Sequence, residues 1–157
     1  MSDAFYSGQV VDTFTAEEFT SQALERVSRE ELSEIAGLLE AKAAAFQSLL
    51  NPNRVHEMSV EGARGLLRSV FSARRRHRVI LDALTLDGFI ELIVDLLSGP
   101  GEPGHRLERF HDAIGAIGRD VHPQTGFDLG SSLLHFSDPD TYWLWTRWMW
   151  DPDAETG

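Results

Sequence analysis

The stretch ELSEIAGLLEAKAAAFQSLLNPN, residues 31–53, decides the fold class. Leu32, Ile35, Leu39, Ala43, Phe46 and Leu50 recur at spacings of three and four, the repeat that lines one face of an α-helix. Ser28 with Glu31 supplies a capping box ahead of it. Asn51-Pro52-Asn53 ends it, because proline denies the helical region to the residue before it. An apolar face of that length needs partners of the same period, and the rest of the chain supplies them.

Upstream, Thr15 and Glu18 form a second capping box, with Phe19, Ala23 and Val27 on one face of a short first helix. Downstream, Ser59 opens a helix whose inward residues are Val60, Ala63, Leu67, Val70 and Phe71, and the pattern continues through Arg74 to Leu81. Thr85 caps the next helix, with Phe89, Ile90, Ile93, Leu96 and Leu97 as its buried stripe. Gly99 to Gly104, GPGEPG, is a connector by composition. Leu107, Phe110, Ile114, Ile117 and Val121 follow as a fifth helix stopped by Pro123, and Leu129, Leu133, Leu134 and Phe136 as a short sixth element. Asp138 followed by Pro139 is an N-cap with proline at the first helical position, opening an aromatic C-terminal helix. No segment alternates with period two. The expectation is an all-α protein, a compact bundle of five to seven helices. Residues 1–14 read as a flexible arm, 15–150 as a single helical domain and 151–157 as a tail.

Composition narrows the function classes. A chain of 157 residues buries about 70% of its unfolded surface. It has no cysteine, which removes disulfides, zinc–thiolate sites and thiol catalysis together. A net charge of −11 opposes nucleic-acid backbone and anionic membrane, so neither is an expected partner. The N-terminus shows neither the basic nor the apolar region of a secretory signal, and no apolar run spans a bilayer, so the expectation is a cytoplasmic protein. Lys42 is the single lysine against thirteen arginines, the codon usage of a G+C-rich, bacterial genome.

All four tryptophans fall within TYWLWTRWMW, residues 141–150. On a helix, Tyr142, Leu144, Trp145, Trp148 and Met149 cover one broad side, enough to dock the helix on a core. Trp143 and Trp150 then stand on the opposite side, flanked by Thr146 and Arg147, with Arg147 one turn from Trp143 where it could stack on the indole. Tryptophan and arginine are the residue types enriched at interface hot spots. Trp143, Thr146, Arg147 and Trp150 are therefore the candidate surface for a protein partner or for self-association into a homo-oligomer. Burial by the N-terminal arm and an apolar ligand are the other two accounts of that stripe.

The remaining motifs carry less. Arg74-Arg75-Arg76-His77-Arg78 is the one basic cluster; as a helix it wraps rather than forming a stripe, and salt bridges to carboxylates are its expected use. Glu108 and His111 are spaced as half of a di-iron carboxylate motif. His135 in LLHF, beside the aromatic segment, could be a buried hydrogen-bonding residue or an axial haem ligand. Arg106-x4-His111 resembles the R-x4-6-H signature of HEPN ribonucleases, a family of small dimeric α-helical proteins. The resemblance implies phosphodiester cleavage by Arg106 and His111. No cofactor is expected. The sequence as a whole favours a non-catalytic accessory or scaffold subunit that assembles through its tryptophans. Binding of an apolar cofactor such as haem or a quinone is the first alternative, and a HEPN-like ribonuclease the second.

Overall fold

A computed structural model describes residues 13–146. Among the described residues the chain is all-helical, with six helices and no strand. It divides into two compact units, residues 1–40 and 41–157, with the second helix running through the boundary.

The first unit holds α1 (Thr13–Arg26) and the beginning of α2 (Arg29–Leu49). α1 starts two residues before Thr15, which is thus inside the helix rather than its cap. The Ser28 box forms as expected: Ser28 Oγ accepts from the Glu31 amide at 3.1 Å, and Glu31 Oε2 accepts from the Ser28 amide at 2.8 Å. Those bonds hold the Glu31 carboxyl below its ordinary range. The expected buried face of α2 is only half realised. Phe46 and Leu50 are buried, whereas Leu32, Ile35 and Leu39 are exposed, together with Leu24 and Leu38.

The second unit continues with a 3₁₀ turn (Val55–Glu57), α3 (Val60–Arg68), α4 (His77–Ser98), α5 (Pro103–Gly115) and α6 (Gln124–Ser137). Ser59 caps α3 as expected, its Oγ accepting from the Gly62 amide at 3.1 Å. α3 stops at Arg68, however, and residues 71–76 form turns. Phe71, expected inside, is 56% exposed. α5 likewise ends at Gly115, short of Ile117 and Val121; Gly118 adopts φ 109°, a conformation that turns the chain and favours glycine.

Thr85 breaks α4 into two helical segments. It has φ 61° and ψ 167°, and its Oγ1 accepts from the Gly88 amide at 3.3 Å, the expected capping role. That backbone region is essentially glycine's alone and costs about 1–3 kcal/mol for other residues. Thr85→Gly forfeits a cap worth only a few tenths of a kcal/mol over glycine and relieves the strain. Urea denaturation should find it about 1 kcal/mol more stable than the wild type, and Thr85→Ala, which keeps the strain and loses the cap, about 1 kcal/mol less stable. The reverse order of the two variants would show that the backbone there is unstrained.

α6 is the centre of the unit. Thr125, Gly126 and every residue from Asp128 to Leu134 are buried, so the expected short sixth element is a 14-residue helix enclosed on all sides. Gly126 and Gly130, one turn apart, let α5 approach. A Cβ on Gly126 would stand 2.8 Å from the His111 carbonyl oxygen and 2.9 Å from the His111 Cα. A Cβ on Gly130 would stand 2.5 Å from Leu107 Cδ1. Phe46 and Phe136 meet with ring centroids 5.1 Å apart, joining the end of α2 to α6. The α4–α5 connector is held by two arginines of α5. Arg106 donates to the Leu97 carbonyl at 2.9 Å, and Arg109 grips both Asp95 carboxylate oxygens at 2.9 and 3.0 Å.

Candidate functional site

The aromatic segment begins where α6 ends. The amides of Thr141 and Tyr142 both donate to the Asp138 carbonyl, at 3.2 and 3.0 Å, and Asp138 Oδ1 also accepts from Thr141 at 3.3 Å. This makes one turn, after which residues 143–146 have no regular structure. The helix expected from Pro139 onward is therefore corrected over its described part: the chain runs along α6 without winding.

Two α6 side chains, one helical turn apart, hold its backbone. His135 Nδ1 donates to the Tyr142 carbonyl at 2.7 Å, and Ser131 Oγ accepts from the Trp145 amide at 2.8 Å. Backbone groups satisfied this way have no need of partners four residues back. Accessibility then alternates with period two, as in an extended chain. Tyr142 and Leu144 pack on the core. Trp143 is 90% exposed and Trp145 46%. Trp145, expected on the buried side with Tyr142 and Leu144, thus shares the outer side with Trp143. Thr146, expected to flank Trp143 on that side, is half-buried. Arg147 and Trp150 lie outside the described residues, as do Trp148 and Met149.

The bond to the Tyr142 carbonyl fixes the His135 tautomer. A carbonyl can only accept, so Nδ1 carries the proton and Nε2 is the free acceptor of the neutral ring. The ring also meets Phe136 edge-on at 4.9 Å. His135 is thus a hydrogen-bonding residue that pins the segment.

The other candidates do not converge. Glu108 is exposed, and His111 is half-buried with its Nδ1 enclosed and unpartnered among the described residues. No group of three or more histidine, aspartate or glutamate side chains able to hold a metal ion occurs among the described residues. Arg106 is buried and turned to the end of α4. It stands about 140° around the helix axis from His111, whose backbone abuts α6 at Gly126.

Sequence reasoning missed the exposure of Leu24, Leu32, Ile35, Leu38 and Leu39 in the first unit. Comparison with protein-family models, curated proteins and solved structures finds no match. No helix among the described residues is long and apolar enough to cross a membrane.

Proposed function

We propose that this chain is a non-catalytic helical accessory or scaffold subunit of the cytoplasm, assembling with a protein partner or with further copies of itself through its aromatic segment. One observation carries the reading: two neighbouring tryptophans, Trp143 and Trp145, face outward on a backbone fixed by His135 and Ser131. A large aromatic side chain held on a positioned backbone pays little conformational entropy on binding and is the commonest kind of interface anchor. The first unit also exposes Leu32, Ile35 and Leu39, spaced for one face of α2, where apolar side chains left uncovered are of the sort that marks contacts between chains.

The test is the double variant Trp143→Ala/Trp145→Ala, followed by native mass spectrometry and sedimentation beside the wild type. Loss of two anchors should weaken assembly at least about 30-fold with an unchanged circular dichroism spectrum. A double variant that assembles like the wild type sinks the reading. The second reading, an apolar cofactor such as haem or a quinone held with His135, draws on the Nε2 acceptor that the Tyr142 bond leaves free. A mass lost on denaturation, absent from His135→Ala, would favour it.

A further inference from the structure

Only the last two residues of the basic run, His77 and Arg78, lie on a helix, the first turn of α4. Arg74, Arg75 and Arg76 occupy the turns that follow α3, where the Arg74 amide donates to the Val70 carbonyl at 2.9 Å and the Arg76 amide to the Ala73 carbonyl at 2.8 Å. Facing these turns is the α5–α6 loop, bent at Gly118 and carrying Arg119 and His122. Between them lies an open cleft of about 790 Å³, within the roughly 300–1,000 Å³ typical of small-molecule sites.

Four of the side chains around this cleft are arginines, and Asp120 is the one acid. Among the described residues none of the four is in ion-pair contact with a carboxylate; the ion pairs present are Arg54–Glu57, Arg64–Glu61 and Arg109–Asp95. The expected salt bridges of the run are therefore not formed within the described chain. Arg74 instead lies over the Phe71 ring, 4.3 Å from its centroid, and Phe71 stays more than half exposed at the rim. Guanidinium groups without counter-charges favour an anion, and planar ones suit oxygens held in pairs, as on a phosphoryl group.

One further group fits the same ligand. His122 Nδ1 accepts from the Gln124 amide at 3.1 Å, so in the neutral ring the proton sits on Nε2 as a donor.

Charge separates a small anion from a polymeric one. The chain carries −11 overall, which repels a long polyanion running across its surface. Screening confines that repulsion and the local attraction alike to about 8 Å at physiological salt, so an anion seated among the arginines experiences chiefly their field. We infer that this cleft binds a small phosphorylated ligand of nucleotide size, its phosphoryl oxygens on the arginines and a planar ring against Phe71.

Isothermal titration of the whole chain with ADP, inorganic pyrophosphate and a single-stranded RNA of roughly 20 nucleotides tests the assignment. ADP and pyrophosphate should each bind at one site, more weakly as salt rises. Arg119→Ala and, separately, Arg75→Gln should weaken both by about tenfold. Phe71→Ala should weaken ADP by about fivefold and leave pyrophosphate unchanged. Trp143→Ala/Trp145→Ala should leave all these affinities intact, which keeps this outcome separate from that of the assembly proposal. No binding of either small ligand at about 1 mM, unchanged affinity in both arginine variants, or RNA bound more tightly than ADP would each overturn the inference. Unchanged ADP affinity in Phe71→Ala would overturn the planar-ring assignment.

Discussion

Replacing Gly126 by alanine should destabilise the fold by about 3 kcal/mol, whereas alanine at Gly130 should cost about 1 kcal/mol. The nearest-atom distances alone rank the two sites the other way, 2.8 Å at Gly126 against 2.5 Å at Gly130. The identity of the neighbour reverses the order. At Gly126 the new methyl meets the His111 carbonyl oxygen and Cα, which are backbone of a neighbouring helix, and then Ile114 Cβ at 3.0 Å. None can move unless α5 moves, and α5 is tied to α4 by Arg106 and Arg109. At Gly130 the first atom met is Leu107 Cδ1, the far end of a flexible and partly buried side chain that a rotamer change can withdraw. Urea denaturation of the two variants, with m-values compared, decides the matter. Equal costs would mean that the α5–α6 spacing adjusts as a whole.

Arg106→Ala should lower stability by about 2–3 kcal/mol. The Arg106 guanidinium supplies Nη1–H to the Leu97 carbonyl at the end of α4, while its Nε is enclosed with no partner among the described residues. Removing the side chain leaves that carbonyl without its donor and opens space under the connector. Arg106→Met keeps an apolar stem of similar length and deletes the unpartnered Nε, so it should recover part of the loss and cost about 1 kcal/mol. The pair of variants also bears on the ribonuclease-like resemblance of Arg106 and His111. A residue kept for catalysis would show near-neutral or improved stability on removal, with loss of RNA cleavage. A residue that closes α4 shows the stability cost instead.

The helical fold was legible because its signals are local. The three-and-four spacing, the Ser28 box, the Ser59 cap and the Thr85 cap each depend on residues within one or two turns, and all four appear in the structure. What failed depended on distant partners. Periodicity identified the apolar face of α2 but could not tell that Leu32, Ile35 and Leu39 are left uncovered. The extent of α6 was not legible because Gly126, Gly130, Ser131 and Ser132 add nothing to the apolar stripe of Leu129, Leu133, Leu134 and Phe136, and yet the two glycines permit the close approach of α5. The candidate site was half legible. Trp143 is exposed as expected, but both faces of residues 142–145 are apolar, so a period of two left no trace in the hydrophobic pattern. The winding of that segment was decided by His135 and Ser131, which approach it from another element. The basic cleft was hidden for the same reason: Arg119 and His122 join Arg75 only through the folding of α4 and α5 between them.

The placement of the tryptophans makes the protein an unusual optical object. All four indoles belong to residues 143–150, while the buried aromatic rings among the described residues, Phe46, Phe89, Phe110 and Phe136, are phenylalanines. Tryptophan emission thus reports residues 143–150 and not the surroundings of the buried phenylalanines. Where Trp143 and Trp145 lift from α6 before the helices unwind, surrendering two side-chain hydrogen bonds and the packing of Tyr142 and Leu144, their fluorescence transition runs ahead of the loss of helical ellipticity. An unfolding curve recorded by emission would then describe the peeling of a label that the chain itself carries, and the gap between the two curves would measure how firmly it is held.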